Sequence, residues 1–229
     1  MATNRRILLS EIPTGKLTEE HFTQDEVALT PPGEGEVLVR TLILSQDAAN
    51  RAWMQGATYR SALSSGQVMS SGGIAEVVES NHERFKIGQI VSGDLGWQEY
   101  AVLPGHLLAE VKDHAGPLSH NLSLLGVAGL TAYHGLLNVP GIHAGEVLLV
   151  SAAGGSVGSI VGQIGRIKGA KVIGIAGGAE KCQWVVDELG FDACLDYQDT
   201  SAPLRHQLTA VAPDGVDVYF DNTGGDILQ

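Results

Sequence analysis

Cysteine is nearly absent. Cys182 and Cys194 are the only two in 229 residues, too few for a disulfide framework and without any paired metal-ligand spacing, so both read as free thiols. The eight histidines (His21, His82, His106, His114, His120, His134, His143 and His206) also lack metal-ligand spacing, and they read as surface or satisfied core residues. Positive charge is scarce as well. Fourteen Lys and Arg against 26 Asp and Glu leave a net charge of −12, which disfavours nucleic acid or an anionic membrane as partner. No apolar run is long enough to span a bilayer, and residues 1–10 lack the charged-then-apolar pattern of a signal peptide. The expectation is a soluble, cytoplasmic protein.

What the chain has is glycine, 30 residues, and an apolar fraction of 44%. That suits turn-rich β structure with a sizeable core. The most informative stretch runs from residue 146 to 178. Val147–Val150 is a short apolar run of the kind a buried parallel strand shows, followed by a loop of small residues, 151–158. Ile160, Val161, Ile164 and Ile167 then recur at helical spacing, Gly169 stops the helix, and Lys171–Ala176 reads as a second buried strand.

This βαβ unit carries Ala153-x-Gly155-x-x-Gly158, overlapping Ala152-x-x-Gly155-x-x-Gly158. It is a dinucleotide fingerprint with alanine in place of the first glycine. Such a loop needs a tight turn, a residue without a side chain where the pyrophosphate meets the backbone, and close contact between helix and strand; the free N–H groups of the helix start then hold the anion. A glycine pattern alone is weak evidence. Strand, loop, helix and second strand falling in order make it strong.

A further absence selects the dinucleotide. A site for NAD places an acid about 20 residues after the glycine loop, where it bonds the ribose 2′-hydroxyl. Here Ala176-Gly177-Gly178-Ala179 occupies that place, with Glu180 late and Lys181 beside it. Small residues followed by a lysine leave room for a 2′-phosphate and supply a positive charge, so the reading is NADPH/NADP. The competing reading of Lys181 is an ordinary solvated helix residue.

Taken in order, residues up to about 117 are β-rich, with strands expected at 36–44, 73–79, 89–92 and 99–103 in a small, partly open barrel. Residues 118–139, apolar with Gly126 and Gly129 inside, suggest buried helices packed closely on a neighbouring backbone. After the βαβ unit come a helix at 179–189, a strand at 193–195, a helix at 203–211 opening on Pro203, and a fourth strand at 215–220. The expected domains are 1–117 and 118–229. A doubly wound sheet in the order 3-2-1-4-5-6 would stop here after its fourth strand, so the reading is of a fragment, a truncated product, or a protein whose remainder is supplied by something else.

Several runs resemble the medium-chain dehydrogenase/reductase superfamily. They are Leu44-Ser45-Gln46-Asp47-Ala48-Ala49-Asn50-Arg51, Gly72-Gly73-Ile74-Ala75-Glu76-Val77, Gly126-Val127-Ala128-Gly129-Leu130-Thr131-Ala132-Tyr133, the nucleotide unit, Gly177-Gly178-Ala179-Glu180-Lys181, and Tyr219-Phe220-Asp221-Asn222-Thr223-Gly224-Gly225. Within it the chain is similar to the zinc-independent, NADPH-dependent alkenal/one reductases, a branch that includes the leukotriene B4 dehydrogenase/prostaglandin reductase and curcumin reductase groups.

The resemblance implies a GroES-like β-barrel domain, a Rossmann domain with a doubly wound parallel sheet, and a cleft where NADPH reduces the carbon–carbon double bond of an α,β-unsaturated ketone or aldehyde. A quinone reductase of the same superfamily, or a non-catalytic NADPH-binding module, is the alternative. By the same resemblance Thr131 contacts the nicotinamide, Gly155, Ser156 and Val157 the pyrophosphate, Lys181 and Tyr197 the 2′-phosphate, and Asn222 the cofactor near the sheet edge. No metal is implied, and the longer family chains imply a homodimer. Hydride delivered to the β-carbon puts negative charge on the carbonyl oxygen, which a hydroxyl donor must stabilise. Tyr59 is the candidate donor, against the plainer reading of a loop tyrosine that packs. Ala48 and Asn50 depart from the family pattern and suggest a looser loop. Asp47 and Arg51, four apart, suggest a local ion pair.

Overall fold

Arg5 and Arg6 sit in a strand that no apolar alternation marks, β1 (Thr3–Leu9), paired antiparallel with β2 (Phe22–Ala28). Both guanidinium groups are matched. Arg5 Nε donates to Glu99 at 2.9 Å and Arg6 Nε to Asp25 at 2.9 Å, and each arginine holds its acid below the usual carboxylate range. The structure, a computed structural model, describes residues 2–57, 60–112 and 116–227.

β3 (Glu36–Leu44), β4 (Gly72–Ser80), β5 (Ile90–Asp94), β6 (Tyr100–Pro104) and β7 (Ala109–Glu110) form one antiparallel sheet in the order β6-β3-β4-β5-β7. Register shifts at Leu38/Val39 and Thr41/Ile43 in the β3–β4 pair bend the sheet and increase its twist. Val37, Val39, Ala75, Val77, Val91 and Leu95 fill its core with Phe85, and a second cluster gathers Leu9, Trp53, Met54, Leu63 and Met69. The four strands expected here are present, their ends displaced by two residues at most. β1 and β2 escaped the sequence reading because their apolar residues are interleaved with paired charges.

The loop after β3 is not loose. It forms the helix α1 (Ala48–Gln55), whose N-cap Asp47 accepts the Ala49 amide at 2.7 Å, while Asn50 Oδ1 accepts the Asp47 amide at 2.8 Å. Asn50 is buried and its amide donates to the Ser70 carbonyl at 2.8 Å. The expected Asp47–Arg51 ion pair is replaced by this cap: Arg51 donates instead to the Gly15 carbonyl at 2.5 Å.

The chain divides into two compact units, Met1–Leu122 and Ser123–Gln229. In the second, β8 (Val147–Val150), β9 (Lys171–Ala176), β10 (Ala193–Asp196) and β11 (Val218–Phe220) form a parallel sheet ordered β10-β9-β8-β11. This is the 3-2-1-4 order of a doubly wound fold.

The helices are α2 (Val127–Leu137), α3 (Ser156–Ile167), α4 (Ala179–Asp187) and α5 (Leu204–Val211). Leu148 and Val150 join Ala132 and Leu136 of α2, Val161 of α3 and Val185 of α4 on one face; Leu149 joins Ile173, Leu195 and the α5 residues Leu204 and Leu208 on the other. Cover on both faces is why these strands read as unbroken apolar runs.

Residues 118–139 depart from expectation. They hold a short 3-10 turn (Leu118–Asn121) and a single α-helix, which buries only Gly129, Ala132 and Leu136; Val127 is 80% exposed and Leu130 56%. The glycine argument holds at one place. A Cβ on Gly129 would lie 1.7 Å from the Leu124 carbonyl oxygen, so the helix meets the segment just before it through bare backbone.

Candidate functional site: the carboxyl edge of the parallel sheet

β8 delivers the chain into Ser151, which is fully buried, and then into Ala152, the one non-glycine residue with positive φ (48°) among the described residues. A left-handed alanine costs about 1–3 kcal/mol and persists only where its surroundings impose it. Here the turn aims the Ala152 carbonyl at the start of α3. The Gly155 amide donates to it at 2.8 Å. A Cβ on Gly158 would stand 2.3 Å from the same oxygen and 2.9 Å from its carbon. Only glycine fits at 158, so the second fingerprint glycine serves helix–strand contact.

Gly155 is the N-cap of α3 and supplies no side-chain cap. The first-turn amides of Ser156, Val157 and Gly158 therefore begin a 12-residue helix with the unsatisfied N–H groups and positive dipole end that hold an anion. Gly155 and Ser156 are exposed, Val157 is half-buried and Gly158 buried. Backbone donors at an accessible helix start, and a glycine that no side chain can replace, fit a dinucleotide's pyrophosphate.

Two further predicted residues gather at the end of β9. Gly178, with φ of 91°, is the N-cap of α4, and Lys181 follows in the first turn. The Lys181 stem lies over the glycine loop: its Cγ and Cδ are 3.3 and 3.4 Å from where a Gly154 Cβ would stand. Tyr197, half exposed, crosses Gly177, its hydroxyl 2.6 Å from where that residue's Cβ would stand.

Asn222 arrives from the other side, after β11. Its amide N–H donates to Ser151 Oγ at 2.7 Å and its Nδ2 to the Ser151 carbonyl at 2.9 Å. The structure thus brings Ala152, Gly155, Ser156, Val157, Gly158, Gly178, Lys181, Tyr197 and Asn222 to one edge of one sheet. Thr131 stands apart, exposed on α2, with no hydrogen bond to the others among the described residues. Tyr59 lies outside the described residues.

Three residues that hold this edge together were missed in the sequence. Ser151 ties β8 to the loop after β11. Asp221 accepts the Ser151 hydroxyl at 2.8 Å and the amides of Thr223 and Gly224 at 3.0 and 2.9 Å. Those amides, then the hydroxyl, hold its carboxyl below the usual range. Asp196, at the end of β10, accepts the Gly178 amide at 2.8 Å. The signal for Asp221 was present, since it precedes Asn222 in the quoted run; Ser151 and Asp196 offered none, being single polar residues at strand ends.

Cys182 is buried, and the Cys194 thiol is pushed up chiefly by burial and next by its contact with Cys182. Among the described residues no group of three or more His, Cys, Asp or Glu is placed to hold a metal ion, and no helix is long and apolar enough to cross a membrane.

Comparison with known proteins agrees with this geometry. Residues 5–111 match the family model described as the N-terminal domain of oxidoreductase, and residues 156–229 match the model described as zinc-binding dehydrogenase. The chain is 43% identical to the NADPH-dependent curcumin reductase of Escherichia coli (strain K12), over 99% of its own length and 65% of the relative's. It is 35% identical to the 2-alkenal reductase (NADP(+)-dependent) of Nicotiana tabacum, over 99% of its length and 68% of that protein. The crystal structure of CurA in complex with NADPH from Vibrio vulnificus superposes with a TM-score of 0.89 at 41% identity, covering 98% of this chain and 66% of that one. The chain thus spans about two thirds of the length of these relatives. With both family models in chain order and relatives matched from end to end of its sequence, the chain belongs to the medium-chain dehydrogenase/reductase superfamily, in the zinc-independent branch of the curcumin and 2-alkenal reductases.

Proposed function

We propose that this chain is part of an NADPH-dependent reductase that saturates the carbon–carbon double bond of α,β-unsaturated ketones and aldehydes. Residues 1–117 are its GroES-like substrate domain and 118–229 its Rossmann domain. The observation that carries the proposal is the Lys181 stem lying over Gly154. It runs the lysine stem past the glycine loop, at a strand end where Gly177 and Gly178 replace the acid of an NAD site.

NADPH, when bound, supplies the hydride. In this reading the amides of Gly155, Ser156 and Val157 hold the pyrophosphate, and Lys181 with Tyr197 holds the 2′-phosphate. Thr131 and Asn222 orient the nicotinamide end, and the Tyr59 hydroxyl donates to the carbonyl oxygen as charge develops there. The names of the relatives support the reaction class, because the curcumin and 2-alkenal reductases are both named for NADP(H)-dependent reduction. A cytoplasmic location and a homodimer belong to the same proposal.

The test is turnover by the protein of NADPH with an enone, an enal and a simple quinone offered separately. Consumption with the enone or enal, giving the saturated carbonyl, is the expected result. Consumption with the quinone alone would make it a quinone reductase. Binding of NADPH with no turnover of any of the three would reduce it to a binding module.

A further inference from the structure

We infer that Asp196 is a positioning residue that sets the preference for NADPH over NADH, an inference that rests on the nucleotide reading above. Its Oδ1 accepts two backbone donors, the Gly178 amide at 2.8 Å and the Gln198 amide at 2.9 Å. Gly178 is the N-cap of the helix that carries Lys181, and Gln198 follows Tyr197 directly. One carboxylate oxygen therefore fixes the separation between the two side chains assigned to the 2′-phosphate.

The anchor is itself held. Gln207 Oε1 of α5 accepts the Asp196 amide at 3.0 Å, and its Nε2 donates to the Asp196 carbonyl at 3.0 Å and the Ala202 carbonyl at 2.7 Å. The Tyr197 amide donates to the Ala176 carbonyl at 3.2 Å, which closes the arrangement across the ends of β9 and β10.

An acid near a 2′-phosphate should repel it. Asp196 belongs here because Oδ1 is committed to two N–H groups of the frame. What the site needs from this residue is the accepting oxygen, and its charge is a tolerated cost. Removing the oxygen should loosen Lys181 and Tyr197 together, which harms NADPH, whose phosphate they hold, and spares NADH. Removing only the charge should not.

Direct titration of the 229-residue chain, wild type and variants, with NADPH and separately NADH tests this, with urea unfolding run alongside. Asp196→Ala should raise the Kd for NADPH about tenfold, as the loss of a charge-assisted hydrogen bond implies, and leave that for NADH unchanged. Asp196→Asn, which keeps an accepting oxygen, should restore wild-type or tighter NADPH binding. Gln207→Met, which removes the support and leaves the carboxylate, should shift the NADPH to NADH ratio in the same direction as the alanine variant, and serves if that variant does not fold.

Equal weakening of both nucleotides, or lower stability with the ratio intact, would overturn the inference. So would weaker NADH binding in Asp196→Asn, which would make Asp196 a direct ligand of the ribose hydroxyl. A wild-type chain that binds neither nucleotide would overturn the nucleotide reading and this inference with it; wild-type preference for NADPH that the variants leave untouched would overturn this inference alone.

Discussion

The Ser151 hydroxyl donates to Asp221 Oδ1 at 2.8 Å while accepting the Asn222 amide at 2.7 Å. One fully buried oxygen thus joins the ends of β8 and β11, and Ser151 is followed at once by the left-handed Ala152 that shapes the glycine loop. Ser151→Ala should cost about 1–3 kcal/mol, because it removes the acceptor of the Asn222 amide and a bond to a charged acceptor. Urea unfolding measures the loss, and a change within error would show that the loop is held by other contacts.

Gly158→Ala tests close packing. The added methyl would stand 2.3 Å from the Ala152 carbonyl oxygen, which belongs to backbone and cannot swing aside. Moving α3 off β8 should cost about 1–3 kcal/mol and displace the first-turn amides. Gly165→Ala is the control in the same helix, since its methyl would meet the end of the Leu148 side chain at 2.6 Å. The 158 variant should unfold at lower urea than the 165 variant and lose nucleotide binding; equal behaviour would contradict the account.

Acid should unfold this protein earlier than an unperturbed set of carboxylates would. Asp221, Asp25 and Glu99 all titrate lower in the folded chain than their ordinary values. Between the two values the unfolded chain binds more protons, so their contribution is complete above the ordinary carboxylate range near about pH 4 and disappears as pH falls through the lower folded values. The urea midpoint measured against pH should fall on that acid side, and Asp221→Asn should flatten part of the fall. A midpoint rising on acidification would contradict the assignment.

The parallel sheet was legible because burial on both faces leaves unbroken apolar runs. Val147–Val150 and Lys171–Ala176 fall where the sequence placed them, and the helix at 203–211 differs only in that Pro203 is its N-cap. β1 was hidden because Arg5 and Arg6 break the apolar pattern, and their partners Asp25 and Glu99 are distant in sequence. In the 118–139 segment apolar content does not mean burial, since Val127 and Leu130 are exposed. At the candidate site the glycines announced themselves through spacing. Ser151, Asp196 and Gln207 did not, since a strand-end hydrogen bond depends on which loops the sheet order brings together.

We propose that the second unit reads a 2′-phosphate through Lys181. Titration of the chain with NADPH and, separately, NADH, followed by nicotinamide fluorescence, tests it most directly. Clear preference for NADPH, abolished in Lys181→Ala with NADH binding unchanged, is the expected result. Equal affinity for the two nucleotides, or a preference that survives Lys181→Ala, would contradict it.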